Sequence, residues 1–114
     1  MSEEVLQSEE VLQTIKKAIG ESKVVLFMKG TPDFPQCGFS AATVQILRDI
    51  GRPFGTMDVF SHPEFRPILK KFSNWPTIPQ LYVNGELIGG ADIAQEMHER
   101  GELKTLIEDA TAES

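Results

Sequence analysis

Val24-Val25-Leu26-Phe27-Met28 is a short, unbroken apolar run, the mark of a strand buried on both faces. From Gly38 to about Ile50 the spacing turns helical, with Ala41, Val44, Leu47 and Ile50 inward and Gly51 as the stop. Phe54 to Phe60 reads as a second strand. Strand, helix, strand within about 35 residues restricts the fold sharply: a right-handed crossover joins two parallel strands of one sheet.

The remaining elements fit around that unit. Leu81-Tyr82-Val83 and Glu86-Leu87-Ile88 flank Asn84-Gly85, which predicts an antiparallel hairpin. A helix from near Pro63 to Phe72 should start near Glu64 or open with a distortion, because Pro67 fits only a first helical turn. Ala91 to Arg100 and Leu103 to Ala110 complete the helices, with Gly101 between them. At the N-terminus, residues 2–7 (SEEVLQ) recur as residues 8–13. Six residues turn a helix by about 600°, so one helix cannot bury both Val-Leu pairs on one face. The expectation is a frayed tail over residues 1–7 and a helix N-capped by Ser8, with Val11, Leu12, Ile15, Ala18 and Ile19 as its apolar stripe. Residues 8–110 then make a single α/β domain, a mixed four-stranded sheet flanked by helices, and residues 111–114 a C-terminal tail.

Composition narrows the function. The 114 residues carry a net charge of −6, which argues against general binding to nucleic acid or anionic membranes. No apolar run approaches the ~20 residues of a membrane-spanning helix. Met1-Ser2-Glu3-Glu4 lacks the basic flank and apolar core of a secretory signal. One cysteine is no disulfide framework. A reducing intracellular setting is expected: a bacterial-type cytoplasm, or a mitochondrial matrix or plastid after removal of a presequence.

That cysteine, Cys37, stands just after a loop with a glycine and two prolines and just before a helix. The helix start offers free N–H groups and partial positive charge, both of which favour the thiolate. Burial as a small hydrophobe is the competing reading. Lys29, at the end of the first strand, can serve as a solvated charge or reach a carboxylate near Cys37. Arg66 and Lys70 share a helix face, for which a solvated role is the default. Asp92 is a candidate N-cap; alternatively it accepts a ligand's ammonium while nearby N–H groups bind a carboxylate. Trp75 reads as packing. His62 and His98 lack metal-ligand spacing with Cys37.

Phe27-Met28-Lys29-Gly30, Pro35-Gln36-Cys37-Gly38-Phe39-Ser40, Trp75-Pro76-Thr77-Ile78-Pro79-Gln80, Gly85-Glu86, Ile88-Gly89-Gly90 and Asp92-Ile93 occur in this order. Together they resemble the monothiol glutaredoxins of the CGFS class, within the thioredoxin-fold superfamily, from about Val24 to Leu106. The resemblance implies a thioredoxin-like fold and a glutathione groove beside a reactive Cys37. It places Lys29 and Arg66, with Lys70 nearby, at the glycine carboxylate, and Phe39, Ile78 and a cis Pro79 along the groove. Gly90, Ala91 and Asp92 take the γ-glutamyl end. Many relatives have a second cysteine where this chain has Ala91, and dithiol relatives have one at the position of Ser40.

A 2Fe–2S cluster usually takes four thiolates. Two copies supply two Cys37 sulfurs, and two glutathiones complete the set. The resemblance therefore implies a cluster-bridged homodimer, or a mixed pair with a BolA-type protein, that delivers clusters to apo iron–sulfur proteins. The alternative is a glutathione-dependent thiol–disulfide oxidoreductase working through Cys37 alone. As an enzyme of that kind the chain is expected to be weak at most. An inert structural thiol is a third reading.

Overall fold

A computed structural model describes residues 3–112. The chain runs α1 (Glu3–Glu21), β1 (Val24–Met28), α2 (Gly38–Ile50), β2 (Gly55–Asp58), α3 (Phe65–Ser73), β3 (Gln80–Val83), β4 (Glu86–Gly89), α4 (Ala91–Glu99) and α5 (Glu102–Thr111). The sheet order is β2-β1-β3-β4. β1 pairs parallel with β2, with Met28 opposite Asp58, and antiparallel with β3. This is the parallel pair the crossover requires. Asn84 (φ 51°) and Gly85 (φ 80°) both take the left-handed conformation that a tight two-residue hairpin turn needs.

β1 is the centre of the molecule, and its alternating side chains divide the core. Val24, Leu26 and Met28 face α2, α4 and α5, where Val44, Leu47, Ala94, Leu103 and Ile107 close over them. Val25 and Phe27 face α1 and α3, against Val11, Ile15, Phe65, Leu69 and Tyr82. Phe27 is fully buried and meets Tyr82 edge-on at 5.5 Å and Phe65 at 6.0 Å. Burying such side chains stabilises by about 1.5–3 kcal/mol each.

Three expectations need correction. α1 begins at Glu3, so residues 3–7 are helical and Ser8 lies inside the helix instead of capping it. A cap preference of about 1 kcal/mol is a weak stop signal when Glu, Val, Leu and Gln upstream all tolerate a helix. The first two residues of the expected tail lie outside the described residues. Asp92 is not the cap of α4, whose N-cap is Gly90. At the C-terminus α5 runs to Thr111, one residue past the expected end. α3 starts as Pro67 demands, with Glu64 at the N-cap and Pro67 in the first turn.

Candidate functional site

Cys37 is the N-cap residue of α2, in extended conformation (φ −156°, ψ 136°). Its side chain is half-buried and free of any disulfide. The thiol pKa is held below its ordinary value. The Ser40 N–H is the main cause; partial burial opposes it; the Phe39 N–H, the Lys29 ammonium and the Ser40 hydroxyl add to it. Cys37 makes no side-chain cap hydrogen bond to α2; the lowering comes from these donors and the Lys29 charge lying near the sulfur. A helix start favours the thiolate form in this way.

Ser40 has a second contact. Buried behind the sulfur, its Oγ accepts the backbone N–H of Lys29 at 3.1 Å. The end of β1 and the start of α2 are thus joined directly beneath the thiol. Between them, residues 29–36 form a small closed loop. Gln36 N–H donates to Lys29 O at 2.8 Å, and Thr31 and Phe34 pair reciprocally at 3.1 and 3.3 Å. Gly30 is required: its φ is +92°, and a Cβ there would lie 2.5 Å from Phe34 O and 2.8 Å from Gln36 N. Asp33 reaches Arg48 of α2 at 2.9 Å, with both side chains exposed.

A groove of about 320 Å³ opens beside α2. Phe39 forms one side, the Trp75–Pro79 segment another, and Gly90, Ala91, Asp92 and Ile93 at the start of α4 the third. The Ile78–Pro79 peptide bond is cis. Gln80, fully buried, fixes this wall: its Nε2 donates to Trp75 O and Thr77 O, both at 3.2 Å. Tyr82 Oη in turn donates to Gln80 Oε1 at 3.3 Å. Gly90 keeps the groove open, since a Cβ would contact Pro79 O at 3.4 Å and Thr77 Oγ1 and Trp75 Nε1 at 3.5 Å.

Phe39, Ile78, Pro79, Gly90, Ala91 and Asp92 thus line one groove, with Cys37 two residues from Phe39. Lys29 acts on the Cys37 sulfur. Cys37, Lys29, Arg66 and Lys70 are not among the lining residues; Arg66 lies over the Phe60 ring at 5.0 Å. The sequence reading missed Thr77 and Ile93 and took Trp75 for packing, although all three line the groove. Thr77 was legible from its place between Trp75-Pro76 and Ile78-Pro79; Ile93 gave no signal beyond an apolar helix position. A larger hollow of about 810 Å³ lies elsewhere, between α1 and α3, over Leu12, Ile68 and Phe72. Among the described residues no group of three or more His, Cys, Asp or Glu side chains converges on a metal position. No described helix is long and apolar enough to cross a membrane.

A four-stranded mixed sheet between two helical layers, with a lowered-pKa cysteine at the N-cap of the helix after β1, is a thioredoxin-like architecture. Residues 24–88 match the glutaredoxin family model. The chain is 50% identical to Glutaredoxin 4 of Pasteurella multocida over 103 residues, covering 90% of this chain and 94% of that protein. It is 48% identical to Glutaredoxin 4 of Escherichia coli K12 over 101 residues (89% and 88%). It is 52% identical to the chloroplastic monothiol glutaredoxin-S7 of rice over 101 residues (89% and 60%). The solution structure of reduced apo GrxS14 from poplar superposes with a TM-score of 0.77 at 48% identity, covering 88% and 92% of the two chains. The chain belongs to the glutaredoxin family, in its monothiol branch.

Proposed function

We propose that the protein binds glutathione in the groove beside Cys37 and, as a pair of copies, holds and hands on a 2Fe–2S cluster. The observation that carries this is a half-buried thiol of lowered pKa at the head of α2, with Ser40, not a second cysteine, one turn on. One chain offers one of the four thiolates such a cluster usually takes. The absence of any three-ligand group among the described residues fits a cluster held as cargo by outside thiols. Two glutathiones and the Cys37 of a second copy complete the set.

The groove suits the tripeptide's two charged ends. The first N–H groups of α4 have no side-chain cap, so they are available to the γ-glutamyl carboxylate while Asp92 accepts its ammonium. The backbone of Ile78 pairs with the cysteinyl unit beside Pro79, and Phe39 covers it. Lys29 meets the glycine carboxylate. Arg66, with Lys70 one turn on, extends that basic edge once it leaves the Phe60 ring. Acceptors are apo iron–sulfur proteins, and a BolA-type protein can replace the second copy. A reducing compartment, bacterial-type cytoplasm or organelle interior, suits a free thiol of this kind.

Reconstitution with iron, sulfide and glutathione tests the proposal through the visible spectrum and the mass in solution. A coloured dimer that bleaches on glutathione removal, and that Cys37→Ser cannot form, is expected. A colourless monomer contradicts it. The lowered thiol pKa also favours a second activity. In that reaction the Cys37 thiolate attacks the glutathione sulfur of a glutathionylated protein and releases the protein thiolate. A second glutathione thiolate then attacks the Cys37–glutathione disulfide, freeing Cys37 and leaving oxidised glutathione. Rapid turnover by a colourless monomer would make this the main function.

A further inference from the structure

We propose that Asp58, at the end of β2, is a positioning residue for Cys37: it holds the 29–36 loop in the arrangement that sets Lys29 beside the thiol. The proposal deepens the function above, since it rests on Cys37 being the working group, but it does not depend on a cluster.

The parallel pairing of β1 and β2 ends with Met28 opposite Asp58. One last backbone bond follows, from Val59 N–H to Met28 O at 2.9 Å. Beyond it the β1 strand turns away through Gly30 at φ +92°, and the Gly30 N–H has no strand partner. The Asp58 side chain takes that place: Oδ1 accepts Gly30 N–H at 3.0 Å. The same oxygen accepts Phe60 N–H at 2.8 Å, closing a tight turn after β2. Asp58 O further accepts from the Ser61 hydroxyl at 2.7 Å. One carboxylate therefore joins the entry of the cysteine loop to the turn leading to α3.

Lys29 lies between this tie and the Ser40 tie. Its own N–H is held by Ser40 Oγ, the next N–H along by Asp58, and its carbonyl by Gln36. With three points fixed, the backbone leaves only the side-chain torsions of Lys29 free. Lys29 is the charged group that acts on the Cys37 sulfur; Asp58 is not. The role of Asp58 is thus geometric, and an uncharged acceptor of similar shape should fill it.

The experiment compares Asp58→Ala and Asp58→Asn in glutathione-free, cluster-free protein, by the pH profile of Cys37 alkylation with iodoacetamide. Asp58→Ala should move the profile to higher pH and slow alkylation at neutral pH by about three- to tenfold, as the thiolate fraction falls. Asp58→Asn should stay within about twofold of the parent. An unchanged profile in Asp58→Ala, or equal loss in both variants, overturns the proposal. Amide hydrogen exchange in the unaltered protein covers the case in which Asp58→Ala does not fold: slowed exchange at Gly30 and Phe60 is expected, and free-chain rates at both overturn it. A failed cluster reconstitution would leave every one of these outcomes readable.

Discussion

Two helix starts border the groove, and they use the same electrostatics in opposite ways. At α2 the N-cap is Cys37, and the N–H groups of Phe39 and Ser40 act on the protein's own sulfur. At α4 the N-cap is Gly90, no side chain caps the helix, and exposed Asp92 sits in the first turn. A helix start carries unpaired donors and a partial positive charge in both cases. The first places the protein's own thiol near them, which favours its anionic form. The second has no side chain on them, and in the proposed function they receive an anion from outside while Asp92 receives a cation. Their surroundings differ accordingly: behind α2 the loop is tied at Gly30, Lys29, Gln36 and Ser40, whereas α4 opens onto the groove.

The largest effect is expected where the α2 side is tied most tightly. Gly30→Ala forces a Cβ against two backbone atoms at a positive φ and should cost more than about 2 kcal/mol in chemical denaturation. A neutral result would show that the loop is loose and dissolve the contrast. Next comes the α4 side. Gly90→Val fills the space bounded by Pro79 O, Thr77 Oγ1 and Trp75 Nε1. It should weaken glutathione binding by at least about tenfold in calorimetry, with about 1 kcal/mol of stability lost at the cap. Unchanged affinity would place the ligand elsewhere.

Ser40→Ala tests the thiolate itself. It removes the hydroxyl that supports the sulfur and accepts Lys29 N–H. The alkylation profile should shift to higher pH, and leaving the part-buried Lys29 N–H unpaired should cost about 1 kcal/mol. The linkage has a definite sign. Because the folded thiol pKa lies below its ordinary value, thiolate stabilisation is fully present above that ordinary value and is lost as pH falls through the folded pKa. The Ser40→Ala protein should show a smaller dependence in that window. The smallest effect belongs to Asp33→Ala. Its partner Arg48 is exposed, so the loss should stay under about 0.5 kcal/mol with the alkylation profile unmoved.

Much of this was legible in the residues. β1 and α2 begin and end where the apolar run and the helical spacing say, because a strand buried on both faces and a one-sided helix leave unambiguous patterns. The hairpin followed from Asn84-Gly85. Helix starts were harder. Ser8 and Asp92 both looked like caps and neither is one, since capping is a local preference that a continuing helix or an adjacent glycine overrides. Of the site, Cys37 was placed by its loop-to-helix position alone. The groove needed family resemblance, because its walls come from three separate segments, at Phe39, residues 75–79 and residues 90–93, that only the fold brings together. The Ser40–Lys29 and Asp58–Gly30 ties were not legible at all: each is one hydrogen bond across a tertiary contact.

Titration of the folded protein with reduced glutathione, followed by backbone amide chemical shifts, addresses the division between the two helix starts most directly. The account predicts saturable shifts at Gly90, Ala91, Asp92 and Ile78. It also predicts that they persist in Cys37→Ser, since the α4 end binds the ligand without the sulfur. Shifts confined to Cys37 and its immediate neighbours, with the α4 amides unmoved, would contradict it.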